Sequence, residues 1–365
     1  MTGSDEHTRT RSATFPAVVI LLVCCLAAAG CRDQAPDAAH DFLDPPQTAA
    51  GRVAPDVPGR SGIPVLCYHY FRADVDPAYL AKVGGSLLFG LPALGTEEFW
   101  TTPIGEFAWQ LEYLAESGVE VLTLDEVTAL AAHGDPLPER AVVLTVDDAE
   151  RSFHRLAFPL LREYGVRAHL FVPTSFAGGT FSGLDICSWD ELREMQDSGL
   201  VILGSHTNRL HYKVDGQAGR VPVTWEPEYT RETDRLLNLK ELAALAGAEA
   251  QDPARGSWQA LRGGRFGPVT DDLLVSRAAL VRNTGAPARW LAWPFGFGNG
   301  DLDSVANSVG FAGTVSLHRR TFDPGHGPWH VGRYTVTAHT TREEFKQLIE
   351  RLPGGSRPLA HLAHP

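Results

Sequence analysis

Short apolar runs alternate along most of the chain with stretches in which apolar side chains recur at helical spacing. The run Ala141–Val146 is apolar apart from one threonine, which is typical of a parallel strand covered on both faces. Helical spacing follows over 151–164 and is predicted to stop at Gly165. Repeated strand–helix units of this kind imply a parallel sheet with right-handed crossovers.

The same pattern predicts the other elements. Additional strands are expected at 63–68, 119–124, 167–172, 200–203, 290–293, 313–317 and 330–336. Additional helices are expected at 104–117, 189–198, 228–249, 271–283, 301–308 and 341–352, and Asp125 is expected to cap a short helix. About seven strands predict a closed or nearly closed α/β barrel with a helical insertion at 212–270, and such folds place their chemistry at the carboxyl ends of the strands.

The N-terminus is predicted to be a secretory signal. Arg9 and Arg11 precede an apolar run, Phe15–Ala29, that is shorter than a typical membrane span. The small residues before Cys31 resemble a bacterial lipobox, in which the cysteine becomes a lipidated N-terminus on a membrane surface. An ordinary signal peptide cleaved nearby and a retained signal anchor are the alternatives. The predicted parts of this exported envelope lipoprotein are a lipoprotein signal peptide at 1–30, a flexible tether at 31–62, a catalytic domain at 63–352 and a tail at 353–365.

The chain has 365 residues and a formal net charge of -12, which argues against a nucleic-acid partner because phosphate contacts need a basic face. The charge leaves two interpretations open, an acidic surface that keeps the protein soluble or a neutral or cationic partner. Of the five cysteines, Cys67 and Cys187 lie in the predicted domain. Both are expected to be buried thiols, although export would permit a disulfide.

The first candidate for chemistry is the pair Asp147-Asp148, directly after the apolar run Ala141–Val146. Adjacent carboxylates destabilise one another unless a cation or a proton is shared between them. At the carboxyl end of a strand both side chains can face one pocket. Taken alone, such a pair is more often part of a turn or a helix cap.

The second candidate is Ser205-His206-Thr-Asn-Arg-Leu-His211, which also begins just past an apolar run. Two imidazoles on one loop can converge on a metal ion, although surface histidines are common in a chain that has 14 of them. One of the two carboxylates, His206 and His211 would together supply three ligands and leave room for water and substrate. The other carboxylate would then be free to take a proton from the metal-bound water.

The third candidate is Trp293-Pro294-Phe295-Gly296, again after a predicted strand. Proline and glycine are typical of a turn, and that is one explanation of the motif. The other explanation is a wall of the pocket, where an aromatic face could stack on a ring of the substrate.

Together these motifs resemble the polysaccharide deacetylase (NodB homology, carbohydrate esterase) family, and they are most similar to lipoprotein poly-N-acetylglucosamine deacetylases of biofilm export systems. The resemblance rests on Thr145-Val-Asp-Asp148, His206-Thr-x3-Leu-His211 and Trp293-Pro-Phe-Gly296 in this order, with Pro64-Val-Leu-Cys-Tyr-His69 opening a domain that spans about 63–350. Two positions differ from the family pattern. Ala149 stands where the family has a glycine, and Ala292 stands where many members have an arginine that pairs with the base.

The resemblance implies a distorted (β/α) barrel and an enzyme that removes acetyl groups from an N-acetylated polysaccharide by metal-activated water. It implies that Asp147 is the general base and that the metal ligands are Asp148, His206 and His211. Residues expected to contact the substrate are His69, Trp293, Pro294 and Phe295, with a backbone N–H near Phe295 for the oxyanion. His318 is the expected general acid, and His69 and His326 are other candidates.

One divalent metal is expected, with zinc first and cobalt, nickel or iron also suited to such ligands. The expected partners are an N-acetylated glycan, with poly-N-acetylglucosamine first and peptidoglycan or another envelope glycan next, and a membrane through Cys31. Two other functions remain open. One is a non-catalytic carbohydrate-binding surface lipoprotein on the same fold, which Ala149 and the missing arginine favour. The other is a metallohydrolase that acts on a different ester or amide.

Overall fold

The structure is a computed structural model, and it describes residues 62–73, 99–216, 219–231, 263–285 and 287–350. All of these residues belong to one compact unit. The predicted signal peptide, the lipid site at Cys31, almost all of the tether and the tail at 353–365 lie outside the described residues.

The predicted strands are present, most of them shifted by a residue or two at their ends, and several short strands accompany them. In chain order the strands are β1 (Val65–Tyr68), β2 (Tyr70–Arg72), β3 (Thr101–Pro103), β4 (Glu120–Leu122), β5 (Ala141–Val146), β6 (Ala168–Val172), β7 (Thr180–Phe181), β8 (Leu184–Asp185), β9 (Val201–Ser205), β10 (Lys213–Gly216), β11 (Gly219–Pro222), β12 (Trp290–Ala292), β13 (Gly313–Val315) and β14 (Tyr334–Thr335).

The main sheet is parallel and curls into a nearly closed barrel. Its hydrogen-bonded order is β13-β12-β9-β6-β5-β1-β14, and β4 pairs with the first half of β5. A parallel bridge between Val315 and Val331 brings the edge of β13 to the segment that leads into β14. The prediction of a distorted barrel of about seven strands is therefore confirmed.

Alternate residues of the strands face two different cores, as the two-residue period of a strand requires. Leu66, Leu144 and Leu170 pack in the larger core, which also contains the buried faces of the surrounding helices. The intervening strand residues point into the barrel interior and form a second core, which includes Val65, Val143, Phe171, Trp290 and Val315, with Leu124 and Val127 beside them. Each strand is thus covered on both faces, which explains its continuous apolar composition.

Seven α-helices lie within the described residues. They are α1 (Ile104–Glu116), α2 (Leu124–His133), α3 (Phe158–Tyr164), α4 (Trp189–Asp197), α5 (Gly267–Thr284), α6 (Gly300–Ser308) and α7 (Arg342–Glu350). None of them has the length and apolar character needed to cross a bilayer. The predicted stop at Gly165 is confirmed, because this residue ends α3 with φ of 63°.

The prediction that Asp125 caps α2 is wrong. Thr123 is the N-cap, because its side chain accepts the N–H of Glu126 while the Glu126 carboxylate accepts the N–H of Thr123. This reciprocal pair satisfies two free amides at the helix start. Asp125 lies within the first turn instead, where a negative charge favours the positive end of the helix dipole.

The insertion at 212–270 differs from the prediction where it is described. It begins with an antiparallel hairpin of β10 and β11, in which Val214 lies opposite Val221. The start of the predicted 228–249 helix is a short turn at Pro227–Tyr229, and 232–262 lie outside the described residues. The prediction that Cys67 and Cys187 are buried free thiols is confirmed.

Candidate metal centre

Asp147 and Asp148 follow β5 at a sharp turn that sends their side chains in different directions. Asp148 and Ala149 both have left-handed backbone conformations, with φ of 68° and 52°. Asp147 reaches towards Arg333, whereas Asp148 reaches towards His206 and His211. The turn explains why a glycine would be favoured at position 149, since an L side chain is strained there.

The three predicted metal ligands converge. Asp148 Oδ1 lies 3.4 Å from His206 Nε2 and 3.6 Å from His211 Nε2. The candidate ligand atoms of the three residues all lie within 4.8 Å of one another. The other carboxylate oxygen of Asp148 accepts the hydroxyl of Tyr70 at 2.8 Å, which fixes the orientation of the carboxylate. Tyr70 was not among the residues predicted from the sequence.

The polar atoms of this group fit a cation. His206 Nδ1 lies 2.8 Å from the carbonyl oxygen of Ala292 and donates to it, so Nε2 is the ring nitrogen that faces Asp148. Burial alone would lower the pKa of His206, but Asp148 and Asp147 raise it, and a metal bound here would take the place of a proton on Nε2. Asp148 Oδ1 is buried and has no hydrogen-bond partner among the described residues. Burial is the main cause that lowers the pKa of His211 to about 4, which keeps this imidazole neutral. A carboxylate and two neutral imidazoles form the ligand set typical of catalytic zinc and related divalent metals.

Asp147 does have a cationic partner, although not at the position that the family pattern indicated. Arg333 donates from Nη1 to Asp147 Oδ1 at 2.7 Å and from Nη2 to Oδ2 at 2.8 Å. Its Nε donates to the carbonyl oxygen of Ser316, and Nη1 also donates to the hydroxyl of Thr145. The loss of arginine at position 292 is therefore compensated by an arginine just before β14.

Charge and burial act in opposite directions on Asp147. Burial alone would raise the pKa of this carboxyl, but the charge and hydrogen bonds of Arg333 and the charges of the nearby histidines together outweigh it and lower the pKa to about 2. The thiol of Cys67 donates to Asp147 Oδ2 at 3.6 Å, and burial raises the pKa of this thiol. His69 Nε2 lies 4.0 Å from the same oxygen, and its ring packs on Trp100. Asp147 is thus ionised at neutral pH and His69, a predicted substrate contact, lies beside it.

The aromatic motif is divided between core and site. Phe295, with φ of 58°, is partly exposed and packs on His211 with 4.5 Å between ring centroids. Phe181, at the tip of the β7–β8 hairpin, packs on the same imidazole at 5.0 Å. Trp293 is 0 % exposed, and its indole N–H donates to Asp303. The structure therefore corrects the predicted wall: Trp293 and the buried Pro294 belong to the core, and Phe295 contacts the candidate ligand His211.

His318 and His326, two of the three histidines considered as general acid, lie in different surroundings. His318 Nδ1 lies 2.9 Å from His330 Nε2, and His330 Nδ1 lies 3.7 Å from Asp303 Oδ2. Leu317, the residue before His318, lies against Gly296, next to Phe295. His326 is an exposed residue that pairs with Asp323 in a turn, and nothing in its contacts links it to the metal ligands.

Three residues were missed from the sequence alone because each contacts a partner from another part of the chain. They are Arg333, Asp303 and His330. A signal for Arg333 did exist. It is a charged residue inside the predicted strand 330–336, where a buried arginine requires an acidic partner. Asp303 lies in a helix, and its surface position was the simpler expectation.

Known proteins share the sequence and the fold of this chain. Residues 134–314 match the family model described as polysaccharide deacetylase. The chain is 35% identical over 250 residues, 68% of its length and 71% of the relative's, to the poly-beta-1,6-N-acetyl-D-glucosamine N-deacetylase of Staphylococcus epidermidis. The protein of the same name from Staphylococcus aureus is 24% identical over 250 residues, which cover 68% of this chain and 71% of the relative.

A solved structure, that of IcaB from Ammonifex degensii, is similar with a TM-score of 0.55 and 28% sequence identity. The similarity covers 80% of this chain and 98% of that one. The predicted fold class and the predicted enzyme class are both confirmed by these matches. The motifs, the barrel and the relatives agree, and the chain belongs to the polysaccharide deacetylase family.

Proposed function

We propose that this protein removes N-acetyl groups from a poly-β-1,6-N-acetylglucosamine-like polysaccharide, with a divalent metal held by Asp148, His206 and His211. The observation that carries the proposal is the convergence of these three ligands around a buried carboxylate oxygen that has no hydrogen-bond partner. The polymer is taken from the names of the relatives, which act on that glycan. Zinc is the first expectation for the metal, because the ligand set combines imidazole and carboxylate.

A divalent metal at this position would lower the pKa of a bound water and polarise the carbonyl of the acetyl group. Tyr70 and the carbonyl of Ala292 hold Asp148 and His206 in the orientation that such binding needs. Phe181 and Phe295 flank His211 and limit the movement of its ring.

We assign the general-base role to Asp147. Its pKa of about 2 keeps the carboxylate ionised at neutral pH, ready to accept a proton from the attacking water. Arg333 holds both oxygens of the carboxylate, which fixes its direction. Asp147 is a weak base because of that pairing, and the proton it accepts must come from a water that is already acidified.

We assign the general-acid role to His318, and its contacts define which nitrogen would act. Asp303 Oδ1 already accepts the indole N–H of Trp293 and the hydroxyl of Thr314, and Oδ2 faces His330 Nδ1. The negative carboxylate favours the His330 tautomer with the proton on Nδ1, so that Nε2 accepts from His318 Nδ1. To act as the acid, His318 must carry a proton on both ring nitrogens: Nδ1–H donates to His330, and the Nε2 proton passes to the departing amine as the C–N bond breaks and acetate forms, which leaves His318 neutral.

We assign stabilisation of the oxyanion to the backbone N–H of Phe295. The neighbouring amides of Gly296 and Phe297 already donate to carbonyl oxygens within their own turn. The left-handed conformation of Phe295 turns its amide out of the regular strand direction. Preorganised amides of this kind stabilise developing negative charge because they need no reorientation during the reaction.

Acetate release from defined glycans, measured together with bound metal on the same preparation, tests the proposal. β-1,6-linked N-acetylglucosamine oligomers should release acetate, chitin oligomers and peptidoglycan fragments should release less, and metal removal should abolish release. Release from a simple ester but not from any N-acetylated glycan would favour the alternative metallohydrolase. Glycan affinity without acetate release by the metal-loaded protein would favour the non-catalytic lectin-like alternative.

The features that favoured a non-catalytic protein now carry less weight. Arg333 supplies the cation that Ala292 cannot. The left-handed conformation at position 149 is adopted by the alanine itself.

The role of His318 has its own test with a matched control. His318→Gln should retain bound metal and lower kcat by about 100- to 10,000-fold, the usual contribution of a general acid. His326→Gln removes an exposed histidine of the same type and should leave kcat unchanged. Equal kcat values for the two variants would remove His318 from the mechanism.

We also propose that Cys31 is lipidated and anchors the domain 63–352 to a membrane through the tether 31–62, with the protein exported to the cell envelope. Metabolic labelling with a palmitate analogue and detergent phase separation test this. Cys31→Ser should lose the label and leave the detergent phase, while Cys24→Ser should keep both properties. Labelling of the Cys31→Ser protein would contradict the assignment.

A further inference from the structure

The loop between the two histidine ligands lies outside any regular helix or strand, although its residues are largely buried. Thr207, next to His206, has φ of 65°, a conformation that a β-branched residue rarely adopts. Because such a backbone does not persist unless its surroundings hold it, some other part of the structure must hold this loop.

Helix α5 provides that restraint through one carboxylate. Asp272 Oδ1 accepts the N–H of Asn208 at 2.7 Å, and Asp272 Oδ2 accepts the N–H of Arg209 at 2.8 Å. Asp272 is 1 % exposed, so both bonds are made away from bulk water. The two oxygens thus bind consecutive amides, and both amides lie between the two ligands.

A serine one turn further along α5 continues the same contact. The hydroxyls of Ser276 and Ser205 lie 2.6 Å apart, and Ser205 Oγ accepts the N–H of Thr207 at 3.0 Å. Residues four apart on a helix share a face, so Asp272 and Ser276 approach the loop from the same side. Asp272 thus accepts two of the three consecutive amides that follow His206, and Ser276 holds the hydroxyl of Ser205, which accepts the third.

The opposite side of the loop is held from the end of β6. The hydroxyl and the backbone N–H of Ser175 both donate to the carbonyl oxygen of Asn208, at 2.7 Å and 3.2 Å. The hydroxyl of Thr174 donates to the side-chain oxygen of Asn208 at 3.0 Å. Helix α5 therefore holds the amides of the loop, and the segment after β6 holds the carbonyl oxygen of Asn208.

We infer that Asp272 is a positioning residue for the metal centre, whose buried carboxylate sets the affinity for the metal by holding the His206–His211 loop in the converging conformation. This inference rests on the proposed metal site. The effect passes mainly through His211, because His206 has its own anchors, the bond from its backbone N–H to Val172 and that from its ring to Ala292. Asp272 itself touches none of the reacting atoms.

The carboxylate is needed because both partners are donors. An asparagine at position 272 offers one acceptor oxygen, and its NH2 group would face the second amide N–H. One hydrogen bond is lost and one repulsive contact is formed, while size and shape are kept. Asp272→Asn is therefore the informative variant, and Asp301→Asn, an exposed aspartate at the start of α6, removes the same charge as a control.

The experiment measures zinc affinity of the apo-protein by competition with a chelating dye, for wild type, Asp272→Asn, Asp301→Asn and Asp148→Ala. We expect Asp272→Asn to weaken binding by about 10- to 100-fold, as outer contacts of metal ligands do, and Asp301→Asn to leave it unchanged. Acetate release by Asp272→Asn should return towards the wild-type kcat at saturating zinc, which loss of folding could not produce.

The outcomes separate the inference from the proposed function. If the wild type shows no zinc affinity that Asp148→Ala removes, the proposed metal site fails and the inference fails with it. If the wild type and folded Asp272→Asn bind zinc equally, only the inference is overturned. Should Asp272→Asn not fold, hydrogen exchange of the wild-type apo-protein decides: the amides of Asn208 and Arg209 should be protected, and exchange at the rate of a free loop overturns the inference.

Discussion

Two buried polar groups in the barrel interior differ in charge: the Arg333–Asp147 pair is ionised, and His169 is neutral. Near the carboxyl ends of the strands, Arg333 is fully buried, and its guanidinium bonds Asp147, Thr145 and the Ser316 carbonyl. Deeper in the barrel, His169 is equally buried, and its only hydrogen bond among the described residues is the one that its Nε2 accepts from the N–H of Leu124. The pair remains charged because its hydrogen-bonding groups have partners, whereas burial lowers the pKa of His169 to about 4 and keeps it neutral.

This difference indicates where the protein tolerates charge. A buried ion pair is retained only with good geometry and satisfied donors, and it contributes little stability compared with apolar side chains. Its presence at the carboxyl end of the barrel, beside the proposed metal ligands, favours a role in chemistry. Strained backbone is concentrated at the same end, at Asp148, Ala149, Thr207 and Phe295.

The largest effect is expected from removal of the cation in that pair. Arg333→Met should leave Asp147 buried and unpaired and should lower the free energy of unfolding by about 3–5 kcal/mol at pH 7. Urea unfolding measures the change. Arg333→Met combined with Asp147→Asn should recover most of the loss, because the uncompensated charge is gone. Equal stability of wild type and Arg333→Met would show that the pair is not buried as described.

The two groups should lose their contributions in different pH windows. The folded-state pKa of His169 is lowered from its ordinary value of 6.5 to about 4, so the unfolded state binds more protons and stability falls as pH drops from about 6.5 to 4. The full effect of this pKa shift on the free energy of unfolding is about 3 kcal/mol. His169→Gln, which can still accept the N–H of Leu124, should remove this slope. Other buried histidines titrate nearby, so the measured quantity is the difference between wild type and variant.

Asp147 should change the free energy of unfolding at a lower pH than His169 does. Its folded-state pKa is lowered to about 2, so its contribution of about 2 kcal/mol is present above pH 4 and is lost as pH falls towards 2. Asp147→Asn should therefore flatten the stability curve below pH 4. An unchanged slope below pH 4 would mean that Asp147 is not held ionised by Arg333.

The smallest effect concerns the strained turn. Ala149→Gly relieves the cost of a left-handed alanine, about 1–2 kcal/mol, but loses a buried methyl group and adds chain entropy to the unfolded state. These contributions nearly cancel, so unfolding free energy should change by less than about 1 kcal/mol. Ala157→Gly, at a buried alanine with an ordinary helical φ of −85°, has no strain to relieve and should cost about 1–2 kcal/mol. Equal losses would contradict the strain at position 149.

The sequence predicted those features that depend on local pattern. Ala141–Val146 was predicted to the residue because its covered faces make every position apolar. The candidate metal ligands could be proposed from the sequence because Asp148 and His206 lie within two residues of a strand end and His211 is on the same loop as His206. Trp293 was misplaced, since an aromatic residue after a strand can point to the core or to the pocket and only packing decides. Arg333 was missed because its partner, Asp147, lies 186 residues away in the sequence and is brought near only by closure of the barrel.

The central claim is that adjacent acids have separate roles, Asp148 as a metal ligand and Asp147 as a base. Bound metal and acetate release, measured together for Asp147→Asn and Asp148→Asn, test it most directly. Asp148→Asn should lose both the metal and the activity. Asp147→Asn should keep about one metal per chain and lose acetate release by about 100- to 10,000-fold. Retention of metal by Asp148→Asn, or loss of metal by Asp147→Asn, would contradict the account.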